Sequence, residues 1–507
     1  MTRPVERIDP ATLRKWIQDG RELAILDARE EGEFGASHLF WAVPCPLSRA
    51  ELRVPVLLPR IATRIVCVDD GRGLAERLAE YLASQGATDL HILEGGAPAW
   101  EAAGFVLFSG VNVPSKAFGE WVEHHYGTES VDAPELKAWI DSGRDMVVLD
   151  SRPLDEFRRM SIPTGINVPG GELAYRIADL VPDPATLIVV NCAGRTRSIM
   201  GAESLRRAGV PNPVVALRNG TMGWELAGMT CERGQTRSYA PGTPASAALA
   251  LRRADGFARE TGVRFGAPEA APGRTTYYLD VRSPEEYAAG HLPGFRHAPG
   301  GQLIQATDQW VAVRHARIVL SDLGDGARAR MSAAWLRLMG GWEVHVLEGR
   351  PEGALGTSMA PAIPTQPSVS VAELAATPNA VVIDLARSVE YRAGHIPGAL
   401  WGVRHRMAGP PPTPLLVVTA PDAALAHLAA AELGARVLQG GTAAWAAAGH
   451  PLTADRRIPA DADCIDFYLR PYDRNSGIED AMRAYLSWEI DLVHEVARDG
   501  DAHFGRL

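Results

Sequence analysis

The chain has 507 residues, of which 46% are hydrophobic and 22% charged, with a net charge of −10. A single hydrophobic core stops growing at roughly 250–300 residues, so several domains are expected, each able to bury a normal core. The acidic balance excludes general affinity for nucleic acid or anionic membranes, and no apolar run approaches the about 18 residues of a membrane span, so a cytoplasmic protein is expected.

In chain order, one set of elements recurs four times. Each unit opens on an apolar strand ending in aspartate: "AILDAREEGEF" from Ala24, "VVLDSRPLDEF" from Val147, "YYLDVRSPEEY" from Tyr277 and "VVIDLARSVEY" from Val381. In three of them an arginine follows two positions on, and a glutamate–aromatic pair closes all four. A turn comes next, in "SHLFWA", "SIPTGIN", "GHLPGFRH" and "GHIPGALW". It is followed by a second strand, in "RIVCVDD", "LIVVNCA", "RIVLSDL" and "LLVVTAP". Asp27 to Asp69, Asp150 to Cys192 and Asp280 to Asp322 are each separated by 42 positions, and Asp384 to Ala420 by 36, so the fourth unit is shorter by a turn of loop. A helical stretch and a third strand complete each unit. Units one, two and four finish on a tryptophan, and unit three breaks off at "EGRPEGALG".

Continuous Val/Ile/Leu strands alternating with amphipathic helices imply an α/β fold: four small open, mainly parallel sheets, each flanked by helices on both faces. The expected domains span 1–110, 131–235, 250–355 and 366–455, followed by a helical extension over 456–507. Pro, Gly and Ser mark the joins: residues 111–130, "GQTRSYAPGTPAS" from Gly234 and "GTSMAPAIPTQPS" from Gly356. In the extension, Ser476 and Glu479 have the spacing of a capping box, and the apolar positions that follow suit one face of a helix docked on a neighbouring domain. An acidic chain of this kind is compatible with a monomer or with a homodimer paired through that helix.

Five cysteines, odd in number and without a C-x-x-C spacing, argue against a disulfide framework and against a zinc site, and no metal or cofactor is expected. Cys192 stands apart. It follows a strand and precedes a helix, where open α/β sheets bind ligands. The loop Ala193, Gly194, Arg195, Thr196, Arg197 and Ser198 can curl its N–H groups inward, with Gly194 easing the curl and Thr196 or Ser198 as N-cap. Such a nest, at the positive end of a helix dipole, stabilises a thiolate. Arg195 and Arg197 add fixed charge able to hold an oxyanion. Asp150, Arg152 and Glu156 read first as a buried ion pair tying strand to helix, with support of this loop as the alternative; His38, His291 and His395 sit on turns with no catalytic use. Cys45, Cys67, Cys231 and Cys464 read as core.

The order "LDxRxxxEF", "HIPGA", cysteine loop, helix and "GGxxxWxxAG" resembles the rhodanese, or sulfurtransferase, domain family, with unit two as the catalytic form and four tandem domains covering nearly the whole chain. The resemblance implies that Cys192 takes sulfane sulfur from a small-molecule donor such as thiosulfate or a thiol persulfide. It then carries the sulfur as a persulfide and passes it to a thiol or cyanide-like acceptor, with Arg195 and Arg197 holding the departing sulfite. The sequence departs from the family where the other units carry Asp69, Asp322 and Ala420 in place of the cysteine, so those units are expected to be inactive, and where unit two has "SIPTG" for "GHIPG". Two other readings stay open on the sequence. One is a non-catalytic binding or regulatory scaffold. The other is a cysteine-dependent phosphatase or arsenate reductase, whose loop needs arginine six places after the cysteine, where this chain has Ser198.

Overall fold

The computed structural model describes residues 5–324, 326–349, 363–407 and 409–505. The expected end of the third domain at 355, and most of the join that follows it, lie outside these residues.

Each unit folds around its own sheet. In unit two the strands lie in the spatial order Ser130–Val131, Val214–Leu217, Leu187–Asn191, Met146–Asp150 and Ile166–Asn167, all parallel. Leu187–Asn191 is buried throughout because both faces are covered. Leu173, Ile177, Ala202 and Leu205 pack on one face, and Leu136, Met160 and Trp224 on the other. Units three and four repeat this order. Unit one repeats its main part but gains an extra edge: Val313–Arg314 of unit three pairs antiparallel with Leu23 and Ala24. One sheet therefore spans two units, a connection that the repeat pattern does not encode.

The repeated motif residues have structural work. Trp100, Trp224 and Trp445 each donate the indole N–H to a carbonyl six residues on, at 3.0, 3.1 and 3.0 Å. His38, His291 and His395 stack on Phe34, Tyr287 and Tyr391. In unit two the "SIPTG" turn has no such stack; there Ser161 and Glu232 exchange backbone hydrogen bonds of 2.9 Å.

Two joins are more than connectors. Within 111–130 lies a helix, Val113–Tyr126, in which every residue from Val113 to Glu120 is buried. The second join runs into a helix, Pro244–Glu260, capped by Thr243, which begins before the expected domain boundary at 250. The C-terminal helix covers Ile478–Asp499 and packs along Val113–Tyr126. Its apolar face, with Met482, Leu486, Leu492 and Val496 buried, is used inside the chain. The expected capping box is not formed: Gly477, at φ +65°, is the N-cap, because the chain enters the helix through a left-handed turn that favours glycine. Units two and three meet so closely that a Cβ on Gly171 would lie 2.8 Å from the Gly301 nitrogen. Arg328 bridges the same interface to Glu172 at 2.9 Å, and Arg404 ties unit four to Glu51 of unit one at 2.7 Å.

Candidate active site

The strand Leu187–Asn191 delivers Cys192 to the carboxyl edge of its sheet, and the helix Thr196–Arg207 leaves from the loop beyond it. The loop is held from below. Thr221 N–H donates to the Cys192 carbonyl at 2.9 Å and Met222 N–H to that of Ala193 at 3.0 Å. This requires Gly220, at φ +54°, whose added Cβ would sit 2.2 Å from the Cys192 oxygen. Unit one has the same arrangement, with Gly96 at φ +60° against the Asp69 oxygen.

In the other units the equivalent loops are occupied from within. In unit one the Asp69 carboxylate accepts from the N–H groups of Gly71, Leu74 and Ala75 at 2.8, 2.8 and 3.2 Å. In unit three Asp322 accepts from Gly326 at 2.8 Å and from Gly324 and Arg328 at 3.2 Å each. In unit four, where Ala420 fills the position, Asp422 caps the shortened loop by accepting from Ala424 N–H at 2.9 Å. Three loops are thus closed by their own carboxylates. At the loop start in unit two stands a sulfur, and the corresponding amides belong to the loop that follows it.

Cys192 is 2% exposed, and its Sγ lies 3.5 Å from Ser198 Oγ. Ser198 spends its proton on the Arg195 carbonyl at 2.7 Å, so its lone pairs are free to accept from the thiol. Neither Thr196 nor Ser198 caps the helix as expected. Arg195 is the N-cap without a side-chain bond, and the Thr196 hydroxyl donates to Glu489 at 3.0 Å. Burial pushes the Cys45 and Cys231 thiols up to about 12 and raises those of Cys67 and Cys464, consistent with inert core residues.

The two arginines of the loop part company. Arg197 lines the cleft above the loop and forms a bidentate pair with Glu156 at 2.9 and 2.8 Å. Burial works against the Glu156 carboxylate, but Arg197, with Arg470 and Arg152 beyond it, outweighs this and holds its pKa at about 2. Arg195 does not line the cleft. Its guanidinium grips Glu120 at 2.8 and 2.8 Å and also contacts Glu123, both on the helix Val113–Tyr126. The expectation that it holds substrate is therefore replaced by a role in docking that helix. Asp150 and Arg152 form the expected buried pair at 2.8 and 2.6 Å, and the Asn191 side-chain amide donates from Nδ2 to the same carboxylate at 2.8 Å. Arg152 also reaches the floor of the cleft.

The cleft itself has a volume of about 260 Å³ and walls from every unit. Ala193, Arg197 and Met222 form its base. Glu31 comes from unit one, Gln302 and Trp310 from unit three, Arg387 from unit four, and Phe467, Arg470 and Tyr485 from the extension. Lys116, from the inter-unit helix, points in beside Tyr485 and lies 3.5 Å from Glu489. Burial lowers its pKa. Gly194 lies under the C-terminal helix, where a Cβ would come 3.0 Å from Glu489 Oε2. These wall residues lie up to 293 positions from Cys192 in the sequence, and no local pattern marks them. Among the described residues no group of His, Cys, Asp and Glu is arranged to hold a metal ion, and no helix is long and apolar enough to cross a membrane.

A rhodanese-like domain model matches residues 9–103, 132–227 and 269–350. The crystal structure of a thiosulfate sulfurtransferase from Pseudomonas aeruginosa is similar over 99% of this chain and 99% of that one, at 44% identity and a TM-score of 0.89. A rhodanese-related protein from Thermoplasma volcanium is 27% identical, covering 20% of this chain and 97% of its own, with a TM-score of 0.19. An HTH-type transcriptional regulator from Mycobacterium tuberculosis is 32% identical over 107 residues, 21% of this chain, and the chain spans only 46% of that regulator's length.

Proposed function

The chain belongs to the rhodanese-like domain family, and we propose that it is a sulfurtransferase whose chemistry is confined to unit two. Cys192 attacks the sulfane sulfur of an anionic donor such as thiosulfate, sulfite departs, and the outer sulfur is held as a persulfide before passing to a nucleophilic acceptor. The observation that carries this reading is the contrast between the loops. The same fold places an internal carboxylate against the amides in units one, three and four, and a cysteine in unit two. Amides that hold a carboxylate in one unit are suited to hold a thiolate, a persulfide or the developing charge of the transfer step in another. The likeness to the Pseudomonas thiosulfate sulfurtransferase supports thiosulfate as donor.

Arg197 is the cleft's anion-binding residue in this reading, kept upright by Glu156. Ala193, Gly194, Thr196 and Ser198 supply the loop around the sulfur, and Asp150 with Arg152 fixes the strand end that presents it. The five cysteines, all unpaired and buried, fit a reducing, cytoplasmic compartment. The test is the rate of thiocyanate formation from thiosulfate and cyanide. The full chain should turn over, and Cys192→Ser should lose about 10³-fold or more with its melting temperature unchanged within a few degrees. Transfer that survives the substitution overturns the proposal.

A further inference from the structure

Five arginines line the cleft, and their partners divide them. Arg152 is paired with Asp150, Arg197 with Glu156, and Arg159 with Asp473 at 2.8 Å. Arg387 and Arg470 have no salt-bridge partner among the described residues. Both are solvent-accessible, and both stand over the Phe467 ring, with guanidinium carbons 5.4 and 5.9 Å from its centroid. A stacked guanidinium keeps its in-plane N–H donors free to meet a carboxylate, and here two of them approach one ring. On the Arg470 side the cleft adjoins a second cavity of about 620 Å³ that shares Arg159, Met160, Phe467, Arg470, Tyr472 and Asp473 with the first. The combined space is of the order occupied by organic ligands, about 300–1,000 Å³, and far exceeds what a thiosulfate ion fills.

We infer that Arg387 and Arg470, braced on Phe467, form a carboxylate-binding subsite at the mouth of the cleft, and that the acceptor of the sulfur is a carboxylate-bearing low-molecular-weight thiol. This rests on the sulfurtransferase reading and gives the fourth unit and the extension a task in it. The acceptor enters as a thiolate, its carboxylate held by the arginine pair and its sulfur directed toward the loop. That sulfur attacks the outer sulfur of the Cys192 persulfide. A new S–S bond forms to the acceptor as the bond to Sγ breaks, and the electron pair of the broken bond leaves Cys192 as thiolate. In balance, the protonated enzyme persulfide and the acceptor thiolate give the enzyme thiolate and the protonated acceptor persulfide, with no outside oxidant or reductant.

The test compares two acceptors with thiosulfate as donor: glutathione, which carries two carboxylates, and 2-mercaptoethanol, which carries none. In the Arg387→Gln/Arg470→Gln double variant the ratio of kcat/KM for glutathione to that for 2-mercaptoethanol should fall about tenfold, as expected for losing charge-assisted hydrogen bonds to a carboxylate. A ratio unchanged within twofold overturns the inference. A binding measurement separates this from failure of the parent reading. S-methylglutathione, which cannot accept sulfur, should bind the unsubstituted full chain and bind the double variant about tenfold more weakly. Absence of binding, or equal binding to both, overturns the subsite while leaving Cys192 chemistry standing, whereas loss of all thiosulfate turnover in the unsubstituted chain overturns the sulfurtransferase reading itself.

Discussion

Unit one and unit two share a sheet order, a motif set and a glycine pressed against the same carbonyl, yet their loops are opposite solutions to one electrostatic problem. Inward N–H groups at a helix start are costly to leave without an acceptor, about 1–3 kcal/mol for each buried group. Asp69 answers with its own carboxylate, which stabilises the fold and fills the position an external anion would take. Cys192 leaves that role to sulfur chemistry. The same loop position thus serves the fold in unit one, where a carboxylate satisfies the amides, and carries a thiol in unit two.

The comparison can be broken most severely by making unit two resemble unit one. Cys192→Asp should abolish thiocyanate formation completely while melting no lower than Cys192→Ser, because the carboxylate satisfies the amides; a melting temperature several degrees below that of the serine variant would show that the two loops are not equivalent. Arg197→Met should follow, with kcat/KM for thiosulfate lowered about 10²-fold and stability at neutral pH lowered by about 2 kcal/mol, since Glu156 is left half-buried without its partner. The sign with pH is set by the depressed carboxylate. The pair's contribution is complete above about pH 5 and is lost as pH falls toward about 2, so denaturant midpoints of the parent should decline more steeply over that window than those of the variant, in which other depressed carboxylates such as Glu343 remain.

Gly220→Ala tests the support beneath the cysteine. Its positive φ and a 2.2 Å approach to the Cys192 oxygen leave no room for Cβ, and about 2–4 kcal/mol of stability should be lost together with most activity. Gly228→Ala, also at positive φ but with open space around it, should cost about 1 kcal/mol. The smallest effect on activity is expected at Asp69→Ala, which should lower stability by about 1–2 kcal/mol and leave thiosulfate kinetics unaltered. A kinetic change there would mean that unit one takes part in turnover.

Much of this was legible in the sequence because it is repeated. The constant 42-residue spacing from Asp27, Asp150 and Asp280 places each second strand without reference to the structure. The isolation of Cys192 among glycine and arginines marks the loop. Packing between units was not legible. Arg195 and Arg197 look alike in sequence, yet one meets Glu120 on a helix 75 positions earlier and the other faces the cleft. Both guanidiniums are paired with carboxylates, and nothing local distinguishes the one that lines the cleft from the one that docks a helix. The segment 111–130 reads as a join because Pro114 and its two glycines signal turns, but Pro114 sits in the first turn of a helix, where its missing N–H costs nothing. Arg387, Arg470 and Phe467 converge only because the fourth unit and the extension fold back over unit two.

The central claim is that a single cysteine carries the sulfur. The full chain should be treated with thiosulfate, freed of excess reagent and weighed intact, then digested to locate the modification. A gain of one sulfur atom on the peptide containing Cys192, absent in Cys192→Ser and with Cys45, Cys67, Cys231 and Cys464 unmodified, is the expected result. No gain in mass, or a sulfur found on any of the other four, would contradict it.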